Sequence, residues 1–299
     1  MKQQFLRFAA NYGMIFVLLL LCMYYSWATL AEQQPVGAEA AAQVAAMIQA
    51  SDNVLVVGND ARGAEAIAIL QRLGLDTALI QILADAPTGS VRVRVDSAGK
   101  PTFTIHAGSA WDRIEWTTAL ETRIVDADAI YFGTLGQRGE QSKATIHRAL
   151  RLVKNRGILR ILDVNLRKPF YDAALIRESI GQCNVLKLSD DELPEVAAAC
   201  GIALESKPEP TLRHMLTRFN LDLIAMTRGA DGALLVSASE VVDQPGIPTV
   251  VADTVGAGDS FTAALVLELL RGDAPKYILR KACEIASAVC SHAGAVPAK

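Results

Sequence analysis

No Cys-x-x-Cys pair, no His-Glu-x-x-His motif and no Gly-Gly pair occurs anywhere in the sequence. The first two absences remove the usual zinc spacings. The five cysteines (Cys22, Cys183, Cys200, Cys283 and Cys290) are odd in number and widely spaced, the pattern of reduced, buried thiols rather than of a disulfide framework. An excess of positive charge is missing too. With 29 Lys and Arg against 32 Asp and Glu the net charge is −3, which speaks against a generally basic nucleic-acid binder. Gly (21) and Pro (11) are too few for a collagen-like or low-complexity chain. What is plentiful is apolar material. Hydrophobic residues make up 51% of 299, enough to exclude disorder and to fill one large α/β domain or two small ones. Mean hydropathy is +0.25, so the excess must be located.

Much of it is N-terminal. Phe8 to Ala31 runs 24 residues without Asp, Glu, Lys or Arg and includes the block Met14 to Leu21. At 1.5 Å per residue such a run spans a bilayer core of roughly 30 Å. Tyr24, Tyr25 and Trp27 lie where an interfacial belt would sit. A membrane anchor and a cleaved signal peptide both fit, and the length of the run favours the anchor. The segment resembles the first span of a ribose-type ABC transporter permease, over about the first 55 residues. Lys2 and Arg7 favour a cytoplasmic N-terminus, which would send the rest of the chain outside. The expected location is membrane-associated through a single N-terminal span, with the rest of the chain expected to function in the cytoplasm and the orientation open.

After an Ala-rich helix over Ala38–Ala50, strands and helices alternate. Strands are expected at Val54–Val57, Ala129–Phe132, Leu159–Leu162, Val185–Leu188, Leu223–Met226 and Ala233–Val236, with a further apolar run at Leu79–Leu83. Helices are expected at Ala61–Leu73 (stopped by Gly74), Gln141–Lys154, Ala173–Ile180, Asp191–Cys200 (ended by Gly201), Ser260–Leu270 and Tyr277–Cys290. This grammar predicts a mostly parallel sheet covered on both faces. Ser90–Val95 and Thr102–Ile105 instead alternate strictly and predict a separate hairpin, placed to cover a site as a flap.

The densest chemical signal is Asp253-Thr-Val-Gly256-Ala257-Gly258-Asp259-Ser260, running into an apolar helix. Small residues before a helix leave its first N–H groups open, and the helix dipole adds partial positive charge, which together suit a phosphate. An acidic residue there is not explained by anion binding. Asp259 makes sense as a general base for a hydroxyl that attacks a phosphoryl group. A bare Gly-x-Gly-Asp would read first as a tight turn with a helix cap, and the full string shifts that balance.

The string resembles the C-terminal signature of the PfkB (ribokinase-like) carbohydrate kinases. The likeness extends over about residues 58–299, through Gly58-Asn-Asp60-Ala-Arg-Gly63, Phe103–His106, Ala110-Trp111-Asp112, Tyr131–Leu135, Asp163-Val-Asn165-Leu-Arg167, Lys187-Leu-Ser189-Asp-Asp-Glu192 and Thr227-Arg-Gly229-Ala-Asp-Gly232. It implies a ribokinase-like three-layer α/β/α fold with a partial β-lid and a fructokinase-like transfer of the γ-phosphoryl group of ATP to a sugar hydroxyl. It implies Asp259 as base and Gly256, Ala257 and Gly258 as the anion hole. Thr227, Gly229 and Gly232 would shape the ATP site, with Lys187 approaching the phosphates. Glu192 would organise Mg²⁺ through water, and Asn165 and Arg167 would face the substrate. A monovalent cation and a homodimer are also within what the family allows, and from the charge balance no nucleic-acid partner is expected. Ser189 stands where the family usually has Asn, which puts part of the metal network in doubt. Taken singly, Lys187 and Glu192 also fit a solvated ion pair, Arg167 a surface charge and Trp111 a packing aromatic.

Family members begin with a strand bearing a sugar-binding Asp and then a Gly-Gly motif. Here that space holds the apolar segment. The expected division is 1–57, a membrane or signal-like helix plus the Ala-rich helix, and 58–299, a kinase domain without its first module. The leading expectation is a sugar kinase of impaired activity. The alternatives are an inert membrane-anchored fusion product and a transport-associated nucleotide binder.

Overall fold

Residues 56–95, 101–292 and 294 are described by the computed structural model. The expected span Phe8–Ala31, the helix Ala38–Ala50 and the start of the strand at Val54 lie outside them. Among the described residues no helix is long and apolar enough to cross a membrane.

Six strands form the main sheet: β5 (Ala129–Gly133), β6 (Leu159–Asp163), β7 (Val185–Ser189), β8 (Leu223–Thr227), β9 (Ala233–Ser237) and β10 (Val241–Gln244), in the order β10-β9-β8-β7-β6-β5. The first four run parallel, and β9 and β10 are added antiparallel at one edge. The strands from β6 to β9 are mostly apolar because both faces are covered. Leu162, Leu186, Leu188, Ile224 and Met226 face one core, while Ile161, Val185, Leu223 and Ala225 face the other.

Helix α3 (Glu140–Val153) follows β5, α4 (Ala173–Ile180) follows β6, and α5 (Leu193–Cys200) and α6 (Pro208–Phe219) both lie between β7 and β8. Ile176, Val196 and Leu212 of α4 to α6 fill the first core. Phe261 and Leu265 of α7 (Ala257–Arg271), with Ile278 and Leu279 of α8 (Pro275–Cys290), fill the second. Cys183, Cys200 and Cys283 are buried free thiols. Burial pushes Cys183 up to about 12 and the other two up to about 11, so they stay protonated and inert.

Two small sheets stand apart. β1 (Val56–Gly58) pairs in parallel with β2 (Gln81–Leu83), and α1 (Ala61–Arg72) connects them. β3 (Val91–Val95) and β4 (Pro101–Ile105) make the expected antiparallel hairpin. Among the described residues β1 pairs on one side alone, with β2, and β5 on one side alone, with β6. Tyr131 on β5 is 51% exposed and Ile82 on β2 is 57% exposed.

Several boundaries differ from the sequence reading. The short helix α2 (Thr118–Ile124), α6 and β10 were not expected. Pro208 and Pro210 hid α6, although proline is well tolerated in a first helical turn. The helix expected from Asp191 starts at Leu193, because the Glu192 carboxylate is held by backbone amides outside it. The helix expected from Ser260 starts at Ala257, inside the glycine string.

Candidate active site

Strand register sets Gly133, Asp163, Lys187 and Ala225 side by side across β5 to β8. They lie on the face that α7 covers, where two charges stand in a row otherwise built of small and apolar residues. Lys187 Nζ donates to both Asp163 carboxylate oxygens, at 3.1 and 3.0 Å, and Thr262 Oγ1 of α7 donates to Oδ2 at 3.2 Å. Asp163 is 1% and Lys187 6% exposed. Burial raises the Asp163 carboxyl against the downward pull of the Lys187 ammonium. The solvated Lys187–Glu192 pair weighed from sequence is not what forms. Glu192 instead accepts from the amides of Leu166 (2.7 Å) and Ser189 (2.8 Å), tying the loop after β6 to the end of β7.

The start of α7 lies over this pair. Gly256 caps the helix with φ +85°, a left-handed conformation that costs a residue with a Cβ about 1–2 kcal/mol. The Ala257 N–H donates to the Thr254 carbonyl at 3.3 Å. The amides of Gly256, Gly258 and Asp259 have no partner among the described residues, as expected where a helix begins. Asp253 braces the loop by accepting from Val255 N (3.0 Å) and Gly294 N (2.9 Å), and these amides hold its carboxyl below its ordinary value. A Cβ on Gly258 would stand 3.4 Å from Lys187 Nζ, so the ammonium lies directly under the turn. Asp259 is exposed, and its carboxylate has no hydrogen-bond partner among the described residues.

Thr227 ends β8 beside Ser189, and its carbonyl accepts from Asp190 N at 2.9 Å. Gly229 and Gly232 make the turn into β9. Gly232 has φ +92°, and a Cβ there would come within 2.1 Å of the Gln244 carbonyl oxygen. Asn165 (φ +42°) and Arg167 lie in the loop after β6. The exposed Arg167 guanidinium donates to the Leu166 carbonyl at 3.0 Å and has no hydrogen bond to the Asp163–Lys187 pair.

A second cluster joins the hairpin to this loop. Arg138 pairs with Asp112 at 2.7 Å and donates to the His106 carbonyl at 2.6 Å. Its guanidinium stacks between Trp111 (5.3 Å) and Phe170 (4.6 Å). A Cβ on Gly89 would strike the Trp111 ring at 2.3 Å, so Trp111 packs flat against the hairpin root. Here it is a packing aromatic.

Of the residues singled out from sequence, Gly256, Ala257, Gly258, Asp259 and Lys187 converge. Glu192, Thr227, Gly229 and Gly232 sit at neighbouring strand ends, and Asn165 and Arg167 stand off on the loop. Asp163 and Thr262 were given no role from sequence. The available signal was a charge closing the apolar strand Leu159–Asp163, opposite another in Val185–Ser189.

No group of three or more His, Cys, Asp or Glu side chains is placed to hold a metal among the described residues. Each Glu192 oxygen accepts one amide and keeps a lone pair. That donor set fits Mg²⁺, which usually retains waters and takes one or two carboxylates plus substrate phosphates.

The family model for pfkB family carbohydrate kinases matches residues 32–299. The chain belongs to this family. A fructokinase of Klebsiella pneumoniae is 26% identical over 248 residues, 81% of this chain and 78% of that protein. The aminoimidazole riboside kinase of Salmonella typhimurium is 26% identical over 234 residues, 73% of this chain and 67% of its own length. Among solved structures, an uncharacterized sugar kinase of Pyrococcus horikoshii in complex with ATP matches with a TM-score of 0.70 and 26% identity, covering 88% of this chain and 84% of that one. An Escherichia coli ribokinase-type structure matches with a TM-score of 0.75 at 22% identity, covering 88% of each chain, which establishes the ribokinase-like fold. The pfkB match begins at residue 32, upstream of the first described strand.

Proposed function

We propose that this pfkB-family member is an ATP-dependent, fructokinase-like sugar kinase with Asp259 as general base. The observation that carries this is the unpartnered Asp259 carboxylate set among open amides at the start of α7, with the Lys187 ammonium beneath. A sugar hydroxyl placed at Asp259 gives up its proton to the carboxylate as its oxygen bonds to the γ-phosphorus of ATP. The bond from that phosphorus to the bridging oxygen breaks, and ADP leaves. The free amides of Gly256, Gly258 and Asp259 face the charge that develops on the phosphoryl oxygens. Thr227, Gly229 and Gly232 shape the nucleotide wall, and ATP as the nucleotide is supported by the 26% identical Pyrococcus horikoshii sugar kinase solved in complex with it. Glu192 would hold Mg²⁺ through water; when bound, the ion neutralises phosphate charge.

Impaired turnover belongs to the same proposal. Among the described residues β1 and β5 are each paired on one side alone, and the chain has no Gly-Gly pair. Fewer contacts to orient the sugar raise KM and lower kcat together. The test is coupled-enzyme turnover with fructose and ATP. Asp259→Ala is expected to reduce kcat by about 10²–10⁴-fold. Turnover that survives the substitution removes Asp259 as base. ATP binding with no turnover in the wild type favours an inert nucleotide binder.

A further inference from the structure

We infer that Asp163 is a positioning residue that, with Thr262, aims the Lys187 ammonium at the phosphoryl group. The inference rests on the kinase reading of the α7 site. A lysine ammonium has three N–H donors. Two are taken by the Asp163 carboxylate, one on each oxygen. The third has no hydrogen-bond partner among the described residues, and it lies under Gly258, where the missing side chain leaves the approach from the anion turn open. A lone ammonium on this long, flexible stem would swing away toward water. Bonded to both Asp163 oxygens, it is held in place.

Thr262 makes the bracket specific. It stands three residues after Asp259, and its single hydroxyl proton lies between two acceptors, Asp163 Oδ2 (3.2 Å) and the Gly258 carbonyl (2.9 Å). One carboxylate therefore ties the ammonium of β7 to the helix whose first amides bind the anion. Gly133 and Ala225, flanking the pair in the strand row, offer no bulk to displace it.

A double-mutant cycle tests this in the full-length chain, reading kcat and KM for ATP and fructose in the wild type, Lys187→Met, Asp163→Asn and the double variant. Lys187→Met is expected to lower kcat about 10²-fold and Asp163→Asn about 10-fold, with the double variant within about twofold of Lys187→Met. A double variant near the product of the single effects, about 10³-fold, overturns the inference, because Asp163 would then act independently of Lys187. Should Asp163→Asn fail to fold, the apolar pair Asp163→Leu with Lys187→Met replaces it, and turnover well below that of Lys187→Met alone is the contrary result. Calorimetry separates this from the kinase reading. Asp163→Asn should weaken ATP binding and leave adenosine binding unchanged, even in a chain that does not turn over. Equal effects on both ligands sink the positioning role. Turnover that survives Asp259→Ala counts against the base alone, and a wild type that binds no ATP overturns both.

Discussion

Single residues in this protein do work that neighbours of similar chemistry cannot. Gly256 opens α7 from the left-handed region, and the amides beyond it point where they do because of that conformation. Gly256→Ala is expected to cost about 1–2 kcal/mol of stability in a denaturant titration, and to lower kcat by more than that loss of folded population explains. Equal kcat with reduced stability would show the turn to be structural only. The Asp163–Lys187 pair follows another rule. Removing one partner leaves a buried charge alone and is expected to destabilise by about 3–5 kcal/mol, whereas an apolar pair is often near neutral. Sequence made the first of these legible and the second only half so. A glycine-rich string before a helix is a local signal, and Asp259 stands inside it. Asp163 and Lys187 are 24 positions apart, and nothing along the chain says that β6 and β7 are neighbours or that these two side chains share a face. Sheet register supplies that, and register is a property of the pairing.

At the level of elements, legibility followed burial. Strands β6 to β9 read as short, mostly apolar runs because helices cover both faces, and α4 appears at the expected Ala173–Ile180. β10 did not read that way. It sits at the edge with half-exposed residues and a charge, Asp243, that pairs with Arg228. The start of α1 shows how much one side chain can fix. Asp60 caps the helix by accepting from Gly63 N (2.9 Å), and it also accepts from Thr88 N (2.8 Å) and Thr88 Oγ1 (2.7 Å), so it joins the helix to the segment after β2. The Thr88 hydroxyl leads these contacts in lowering its carboxyl to about 2 from an ordinary 3.8. A depressed carboxyl pKa stabilises the fold above the unfolded value and loses that effect as pH falls through the folded one. The Asp60 contribution is therefore complete above about pH 4 and fades toward pH 2. Circular dichroism of Asp60→Asn should show a flatter acid transition in that window than the wild type. An unchanged profile would mean that Thr88 does not depend on the charge.

Across the whole molecule, the layered architecture and the glycine turn into β9 were within reach of the sequence, while the joints between elements were not. The hairpin was expected as a flap from its strict alternation. How it is fastened was not, because the fastening is spread over Gly89, Trp111, Arg138 and Phe170, four positions with no common pattern. That stack has an optical consequence. The Trp111 indole lies against a guanidinium that also holds the carbonyl at the hairpin exit and the aromatic ring of the loop after β6. Any ligand that shifts hairpin against loop alters the charge beside the ring and hence its emission. Tryptophan fluorescence of the wild type should change on adding ATP with sugar, and the change should vanish in Trp111→Phe while persisting in Trp116→Phe. A change confined to Trp111 would make this ring a reporter of hairpin movement, readable without label or coupling enzyme.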